Sequence, residues 1–447
     1  MNSTVFPVRL GLALAGGAFL LLTACAEQEL ILPGEREAIR GQIDGTRLEP
    51  TPDAINNISR PIQVPAARRS ATWAQPPGMP SHRVDNSVLR VAPQHIWSAN
   101  IGSGDDRRVR ITADPVVAGG LIYTLDSGAQ VSAVTPAGQV AWSVDLIPVT
   151  DDEEQATGGG MAYDNGTLYV SSGFGRLTAL DAKTGGVRWT QKLSATGSGT
   201  PLISDGLVYL VAGDSTGWAI DAKDGRIKWQ INAAPSVANV LGAPAPVIAG
   251  EFVVFAFGSG ELIGAFRRGG YQRWSATVAG GRTGRVASRI GDITGSPMVV
   301  GNRIYAGNHS GTTSAISTDA GEVIWTARQG AVGPVWPVGG SVFAVSSESQ
   351  LVRLDGSDGS VIWAVDLPGY LKDKPRKRGE IVAHYGPIMA GGQLVIASND
   401  GFLRFVAPED GSLIASVPVP GGATTAPVVA DGTLYVVSTD GKLHAFR

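Results

Sequence analysis

A short frame recurs through most of the chain, and this repetition limits the possible folds more than any other feature. In GRLTALDAKTGGVRW (175–189) an alternating apolar run is followed by an Asp, a turn that ends in Gly, and a closing Trp. The frame returns in AQVSAVTPAGQVAW (129–142), GWAIDAKDGRIKW (217–229), GELIGAFRRGGYQRW (260–274), GTTSAISTDAGEVIW (311–325) and SQLVRLDGSDGSVIW (349–363), and in 401–415 with Ala415 in place of the Trp. A repeat of this kind indicates one supersecondary unit stacked on its neighbours.

A second pair of short apolar segments precedes each copy of the frame, as in PLISDGLVYLVA. With this pair included there are eight units, beginning at Pro115, Met161, Pro201, Pro246, Pro297, Pro334, Pro387 and Pro427. Four short strands separated by Gly, Asp and Asn turns are typical of a propeller blade. The 60 glycines of the chain fit so many tight turns. The sequence therefore predicts an all-β fold, an eight-bladed β-propeller of four-stranded antiparallel blades.

The two ends of the repeat region complement each other. The eighth unit stops at Arg447, after GKLHAFR, without its turn and Trp segment, whereas QHIWSAN (94–100) places Trp97 in that missing part of the frame. We therefore expect the N-terminal strand to pair with the C-terminal blade, which closes the ring and leaves no free edge. The recurrent Trp is interpreted as a wedge between consecutive blades, because aromatic side chains bury a large area.

The N-terminus has the pattern of a bacterial lipoprotein signal. Arg9 is followed by an uncharged stretch, 10–22, which is shorter than the ~20 apolar residues needed to span a bilayer. Leu-Thr-Ala-Cys at 22–25 resembles the lipobox, so we expect lipidation of Cys25, the only cysteine. Ala26 in place of Asp favours an outer-membrane anchor that faces the periplasm. The alternative is an ordinary signal peptide with an incidental cysteine.

Residues 25–92 differ from the repeats in being rich in proline, which interrupts long helices and central strands. We interpret them as an extended, lipidated tether, and whether Trp73 docks on the propeller is left open. The predicted organisation is a signal peptide at 1–24, the tether at 25–92 and the propeller at 93–447.

Composition and motifs exclude several classes of function. Lys and Arg number 36 against 39 Asp and Glu, a net charge of −3 that argues against nucleic-acid binding. The five histidines are scattered, and no CxxCH, HExxH or P-loop motif occurs. We therefore predict no catalytic, cofactor or metal site. The basic run KDKPRKR (372–378) is interpreted as an exposed loop kept soluble by charge; the alternative is contact with anionic lipid or an acidic partner.

The frame G-x-L-x-A-L-D-x-x-T-G-x-x-x-W resembles that of pyrroloquinoline-quinone-type propellers, and together with the lipobox it resembles the BamB family of outer-membrane assembly lipoproteins. The resemblance covers nearly the whole chain from Cys25. It implies a non-catalytic scaffold that binds the BamA POTRA region and other subunits of the β-barrel assembly machine, and that aids folding and insertion of unfolded outer-membrane proteins. The alternatives are a periplasmic quinoprotein-like dehydrogenase and a propeller that binds cell-wall polymer.

Two stretches are similar to the loops with which that family docks its partner. SRIGDITGSP (288–297) has Arg289 and Asp292 in place, with Thr294 where the family can have a second Asp. SVANVLGAP (236–244) keeps an apolar residue at Val240, but Leu241 replaces the family's arginine. The resemblance thus implies that these five residues bind the partner. The alternative for Asp292 is a turn residue that hydrogen-bonds its own backbone.

Overall fold

The computed structural model describes residues 57–447, except 79–80, 153–154, 194, 196–198, 236–243, 279, 281–290, 373, 375 and 377. The predicted signal peptide and Cys25 therefore lie outside the described residues. Residues 55–447 form one compact unit. Within the described part of the chain, no helix has the length and apolar character needed to cross a membrane.

The strands form eight four-stranded antiparallel sheets, each a blade, which confirms the predicted propeller. The strands of blades 1 to 4 are β2 Val116–Ala118, β3 Leu121–Leu125, β4 Gln130–Val134 and β5 Val140–Asp145; β6 Gly159–Asp164, β7 Thr167–Ser172, β8 Arg176–Asp181 and β9 Val187–Lys192; β10 Leu202–Ser204, β11 Leu207–Ala212, β12 Thr216–Asp221 and β13 Ile227–Asn232; β14 Val247–Ala249, β15 Phe252–Ala256, β16 Glu261–Phe266 and β17 Gln272–Thr277. Those of blades 5 to 8 are β18 Met298–Val300, β19 Arg303–Gly307, β20 Thr313–Ser317 and β21 Val323–Ala327; β22 Trp336–Val338, β23 Ser341–Val345, β24 Gln350–Asp355 and β25 Val361–Asp366; β26 His384–Ala390, β27 Gln393–Ser398, β28 Phe402–Val406 and β29 Leu413–Pro418; β30 Val428–Ala430, β31 Thr433–Ser438, β32 Lys442–Phe446 and β1 His95–Asn100.

The burial of the strands decreases from the propeller axis to the outer rim of each blade. The first strand lies nearest the axis and has three residues in six of the blades, and the second strand is almost wholly buried, as in β7. These strands carry apolar residues on both faces because a neighbouring blade covers each face. The fourth strand, such as β9, alternates between exposed and half-buried residues, as expected at a solvated rim.

The ring closes as the sequence predicts. Strand β1 pairs antiparallel with β32, with Trp97 opposite Ala445. Beyond the paired strands, Gln94 and Arg447 exchange both of their backbone hydrogen bonds at 2.8 Å. The N-terminal strand thus supplies the outer strand of blade 8.

The turn Gly and the closing Trp of the frame meet across the boundary between two blades. Trp189 of blade 2 donates its Nε1 proton to the carbonyl of Ala222 in blade 3, at 3.1 Å. Its ring covers Gly225, where an added Cβ would lie 2.7 Å from the ring and where φ is +76°. The same Trp-to-carbonyl bond joins successive blades at Trp97, Trp142, Trp229, Trp274, Trp325 and Trp363. The interpretation of the Trp as a wedge is confirmed.

The missing Trp at Ala415 has a structural reason. Blade 7 faces blade 8, in which the third and fourth strands are the two ends of the propeller sequence, β32 and β1, with no turn between them. A Trp at this boundary would have no turn glycine to cover.

The two faces of the ring carry different connections. On one face, two-residue turns join the first and second strands of each blade, such as Asn165-Gly166, with φ of 44° and 76°. Such turns match the twist of the strands. We call this the strap face, because residues 57–89, here called the strap, lie on it. The links between blades lie on the opposite face, called the linker face.

The strap is extended and packs on the inner strands of the blades. Trp73 and Val117 exchange backbone hydrogen bonds at 2.8 and 2.9 Å, and Ala74 accepts one from Tyr163. Further bonds reach the other blades: Gln75 with Ile203, Gly78 with Val299, Asp85 with Trp336, Ser87 with Met389 and Gly391, and Ser70 with Asp431. Gly78 also approaches Val247 of blade 4. The strap therefore contacts all eight blades.

Arg353 fixes the outer part of the strap. Its side chain is 2% exposed and donates hydrogen bonds to the carbonyls of Arg60 and Pro61 in the strap, and to those of Pro408 and Glu409 in blade 7. Burial lowers the pKa of this guanidinium, but four carbonyl acceptors compensate its charge. One side chain thus joins the strap to blades 6 and 7.

Part of the predicted tether is therefore packed on the propeller. Trp73 is 8% exposed and stacks on Trp336 with ring centroids 6.3 Å apart. The sequence left this docking open, and the structure shows it. The division at residue 92, and the role of residues 25–56 as a tether, stay predictions.

Candidate functional site

The two stretches predicted to dock a partner fall in links between blades, and of these stretches the structure describes residues 244 and 291–297. The stretch 236–244 links blade 3 to blade 4, and 288–297 links blade 4 to blade 5. Their C-terminal ends meet, because Ala245 N donates to Ser296 Oγ at 3.0 Å. Val240, Leu241 and Arg289 lie outside the described residues.

Asp292 and Thr294 hold the second link against blades 5 and 6. The side chain of Asp292 is only 3% exposed, and its carbonyl accepts a hydrogen bond from His309 N at 2.9 Å. Thr294 is half-buried, and its hydroxyl donates to the carbonyl of Val332 at 3.0 Å. Ile293 between them is fully buried. Both residues thus hold the link in place through hydrogen bonds to other parts of the ring.

A small cavity of about 80 Å³ lies on the propeller axis, beneath the strap. Trp73, Pro76, Trp336 and Met161 are among the residues that line it. Asp114 also borders it and accepts a hydrogen bond from Ala426 N at 2.8 Å. The enclosing protein desolvates this carboxyl and raises its pKa to about 6, although the side chain keeps access to solvent.

Among the residues that the structure describes, no group of three or more His, Cys, Asp or Glu side chains is placed to hold a metal ion. Described carboxylates near the axis and on the strap face bond to backbone N–H groups, hydroxyls, arginine or lysine. Asp105, for example, accepts hydrogen bonds from Ile111 N and from the Thr424 hydroxyl. These carboxylates therefore serve to fix loops.

Comparison with known proteins identifies the family. A family model described as outer membrane protein assembly factor BamB matches residues 127–365, more than half of the chain. The chain belongs to the BamB family. It is 28% identical to BamB of Salmonella typhimurium over 372 residues, 82% of this chain and 91% of that protein. It is 29% identical to BamB of Escherichia coli K12 over 359 residues, 79% of this chain and 88% of that protein.

Solved structures share the fold. BamB from Moraxella catarrhalis superposes with a TM-score of 0.64 at 19% identity, covering 79% of this chain and 99% of that one. Quinohemoprotein alcohol dehydrogenase from Comamonas testosteroni superposes with a TM-score of 0.62 at 16% identity, covering 86% and 81%. At such identities the likeness shows only that BamB and these dehydrogenases have the same architecture.

The axial cavity of this BamB-family chain does not fit a quinone cofactor. Sites for organic ligands usually measure ~300–1,000 Å³, whereas this cavity has about 80 Å³. Trp73 and Pro76 of the strap form part of its wall. Asp114 borders the cavity without belonging to a cluster of described carboxylates that could hold a cation beside a quinone.

The sequence reasoning missed Arg353 as the residue that anchors the strap. The frame contains a signal for this role. In the other blades that have the closing Trp, the residue paired with it is Ala or Gly, as at Ala179, Ala219 and Gly264. In blade 6 the residue paired with Trp363 is Arg353. A charged residue at a position that is small in the other repeats points to a buried polar partner.

Proposed function

We propose that the chain is a non-catalytic scaffold lipoprotein of the outer-membrane β-barrel assembly machine. Its membership of the BamB family supports this role. The observation that carries the proposal is the contrast between the two faces: the strap packs on one face and contacts all eight blades, which leaves the linker face for partners.

In this proposal Cys25 carries the lipid anchor and the propeller faces the periplasm. The links 236–244 and 288–297 receive the POTRA region of BamA, and the bound scaffold assists the folding and insertion of outer-membrane proteins. Val240, Leu241 and Arg289 are proposed to contact the partner directly. Asp292 and Thr294 are proposed to support that surface, since the Asp292 carbonyl and the Thr294 hydroxyl bond the link to neighbouring parts of the ring.

The test is the binding of the soluble form, starting at Ala26, to the POTRA domains of the BamA from the same organism, measured by calorimetry. We expect Val240→Asp and Leu241→Asp each to weaken binding roughly 10-fold or more, because a charge would be buried at the interface. The matched control is Val149→Asp, which places the same charge at an exposed valine in the link between blades 1 and 2.

Loss of binding in the first two variants, with the control unchanged, supports docking between blades 3 and 5. Equal binding by all variants would move the docking site elsewhere. A folded wild-type chain that binds no POTRA domain would overturn the proposed scaffold role.

A further inference from the structure

The two described sides of the link between blades 6 and 7 pair with each other, and we call this link, residues 368–383, the basic arm. Tyr370 and Ile381 pair across it, Leu371 N donates to Glu380 O at 3.0 Å, and Val382 N donates to Gly369 O at 3.1 Å. The arm is thus an ordered element of the linker face at its base.

The arm combines positive charge with exposed apolar side chains. Its tip has the sequence KDKPRKRGE (372–380), with five basic and two acidic residues. Of the described basic residues, Lys374 and Arg376 are exposed, and Arg378 lies over the ring of Tyr370 at 5.3 Å. Below the tip, Ile381 is 69% exposed and Tyr370 and Leu371 are each about 40% exposed. A chain with a net charge of −3 therefore concentrates a positive, partly apolar surface at one place.

The strap begins beside the strand that leads into the arm. Ile58 N donates to Ile362 O at 3.2 Å, and Asn57 exchanges side-chain hydrogen bonds with the backbone of Ala364 at 2.9 and 3.0 Å. Followed back toward its N-terminus, the strap thus moves along β25 toward the arm. Cys25, the predicted lipid site, precedes Asn57 by 32 residues (57 − 25). A lipid anchor brings the membrane to a high effective concentration near the part of the propeller to which the tether is joined.

We propose that the basic arm is a second membrane contact, binding the phosphate groups of anionic lipid through its lysines and arginines while Tyr370, Leu371 and Ile381 enter the interface. Basic residues are attracted to anionic leaflets, and tyrosine with aliphatic neighbours favours the headgroup region. Membrane contact at the arm would fix the orientation of the ring, with blades 6 and 7 toward the membrane and the docking links of blades 3 to 5 elsewhere on the ring.

The test is co-sedimentation of the soluble form, starting at Ala26 and therefore without acyl groups, with vesicles of phosphatidylglycerol and phosphatidylcholine, and with phosphatidylcholine alone. This chain retains the whole compact unit, residues 55–447. We expect binding to the anionic vesicles only, weakened by salt because the screening length falls from ~10 Å at 0.1 M to ~3 Å at 1 M.

The double variant Lys374→Glu/Arg376→Glu should bind these vesicles roughly 30-fold more weakly, and Ile381→Ser should lose about 5-fold. The matched control is Lys223→Glu/Arg226→Glu, which makes the same charge change at exposed residues of the strap face. It should bind like the wild type. POTRA binding should be unchanged in all of these variants, which separates this proposal from the docking proposal.

Three results would overturn the membrane contact: no binding of the wild type to anionic vesicles, equal binding by the arm variant, or an equal loss in the strap-face control. If the wild type ignores vesicles but binds polyglutamate in a manner that depends on Lys374 and Arg376, the arm recognises an acidic protein segment instead.

Discussion

The strap face and the linker face are built from the same eight blades, but they are held in different ways. On the strap face, the first two strands of each blade are joined by two-residue turns, and the strap adds hydrogen bonds to the inner strands. On the linker face, the links differ widely in length, from the short link 328–335 to the long link 278–297. Short turns leave little room for variation, whereas longer links can change without disturbing the blades.

The two faces therefore contribute differently to the stability of the ring and to the binding of partners. The strap face concentrates contacts that hold distant blades together, such as those of Arg353 and Trp73. The linker face carries both the predicted docking links and the basic arm. We therefore expect substitutions on the strap face to change stability, and substitutions on the linker face to change binding.

Among substitutions on the strap face, we expect Arg353→Ala to reduce stability most. This change removes the buried guanidinium that donates to four carbonyls, and we expect the free energy of unfolding to fall by about 3–5 kcal/mol. Hydrogen exchange of residues 57–64 should become faster, because the strap loses its outer attachment. Denaturant unfolding and exchange mass spectrometry measure the two effects. Arg226→Ala, at an exposed arginine, should cost less than ~0.5 kcal/mol; a similar loss in both variants would contradict the role of Arg353.

A pair of glycines on the strap face separates backbone strain from blade packing. At Gly225 an alanine would meet Trp189 at 2.7 Å, whereas at Gly206 nothing lies within 4 Å, and φ is near +75° at both. We expect Gly206→Ala to cost about 1 kcal/mol for the left-handed backbone, and Gly225→Ala about 2–4 kcal/mol, because overpacking is added. Thermal and urea unfolding test the difference. An equal loss of unfolding free energy in both variants would mean that Trp189 moves aside without measurable cost, which would contradict the prediction.

The closure of the ring, which both faces share, should weaken in acid. His444 is 1% exposed, and its Nδ1 lies 2.9 Å from Ser98 Oγ of β1. Burial, aided by the nearby His95, lowers the pKa of His444 from 6.5 to about 4. Because the unfolded chain binds the proton more readily, this stability is present above pH 6.5 and is lost as the pH falls through 4.

Between about pH 8 and pH 5 the loss from His444 should be about 2 kcal/mol. Urea unfolding at several pH values measures it, and His444→Gln should reduce the slope. A residual slope is expected, since burial also lowers the pKa of His384. The same slope in the variant and the wild type would contradict this prediction.

The smallest effect is expected on the linker face. Val149 is fully exposed in the link between blades 1 and 2. Val149→Asp should therefore change the free energy of unfolding by less than ~0.5 kcal/mol. A larger loss, measured by urea unfolding, would show that this link contributes to the stability of the ring and would weaken the contrast between the faces.

The sequence alone predicts the propeller well, because each blade is encoded locally. The turn Gly and the closing Trp recur at fixed spacing, and together they specify both a hairpin and a contact with the next blade. The closure of the ring can also be predicted, because the eighth unit ends at Arg447 without its Trp segment and Trp97 supplies that segment. The candidate site is less readable: the sequence places its two links, but the burial of Asp292 depends on contacts with blade 5.

The repeat, the number of blades and the strand that closes the ring can be predicted from the sequence, because strand alternation and turn chemistry are properties of neighbouring residues. The path of the strap and the anchoring role of Arg353 become visible only in the folded chain. The strap is held mainly by backbone hydrogen bonds to residues distant in the chain, such as Trp73 with Val117 and Ser87 with Met389. Backbone groups are the same in every residue, so such pairing leaves little mark on the sequence.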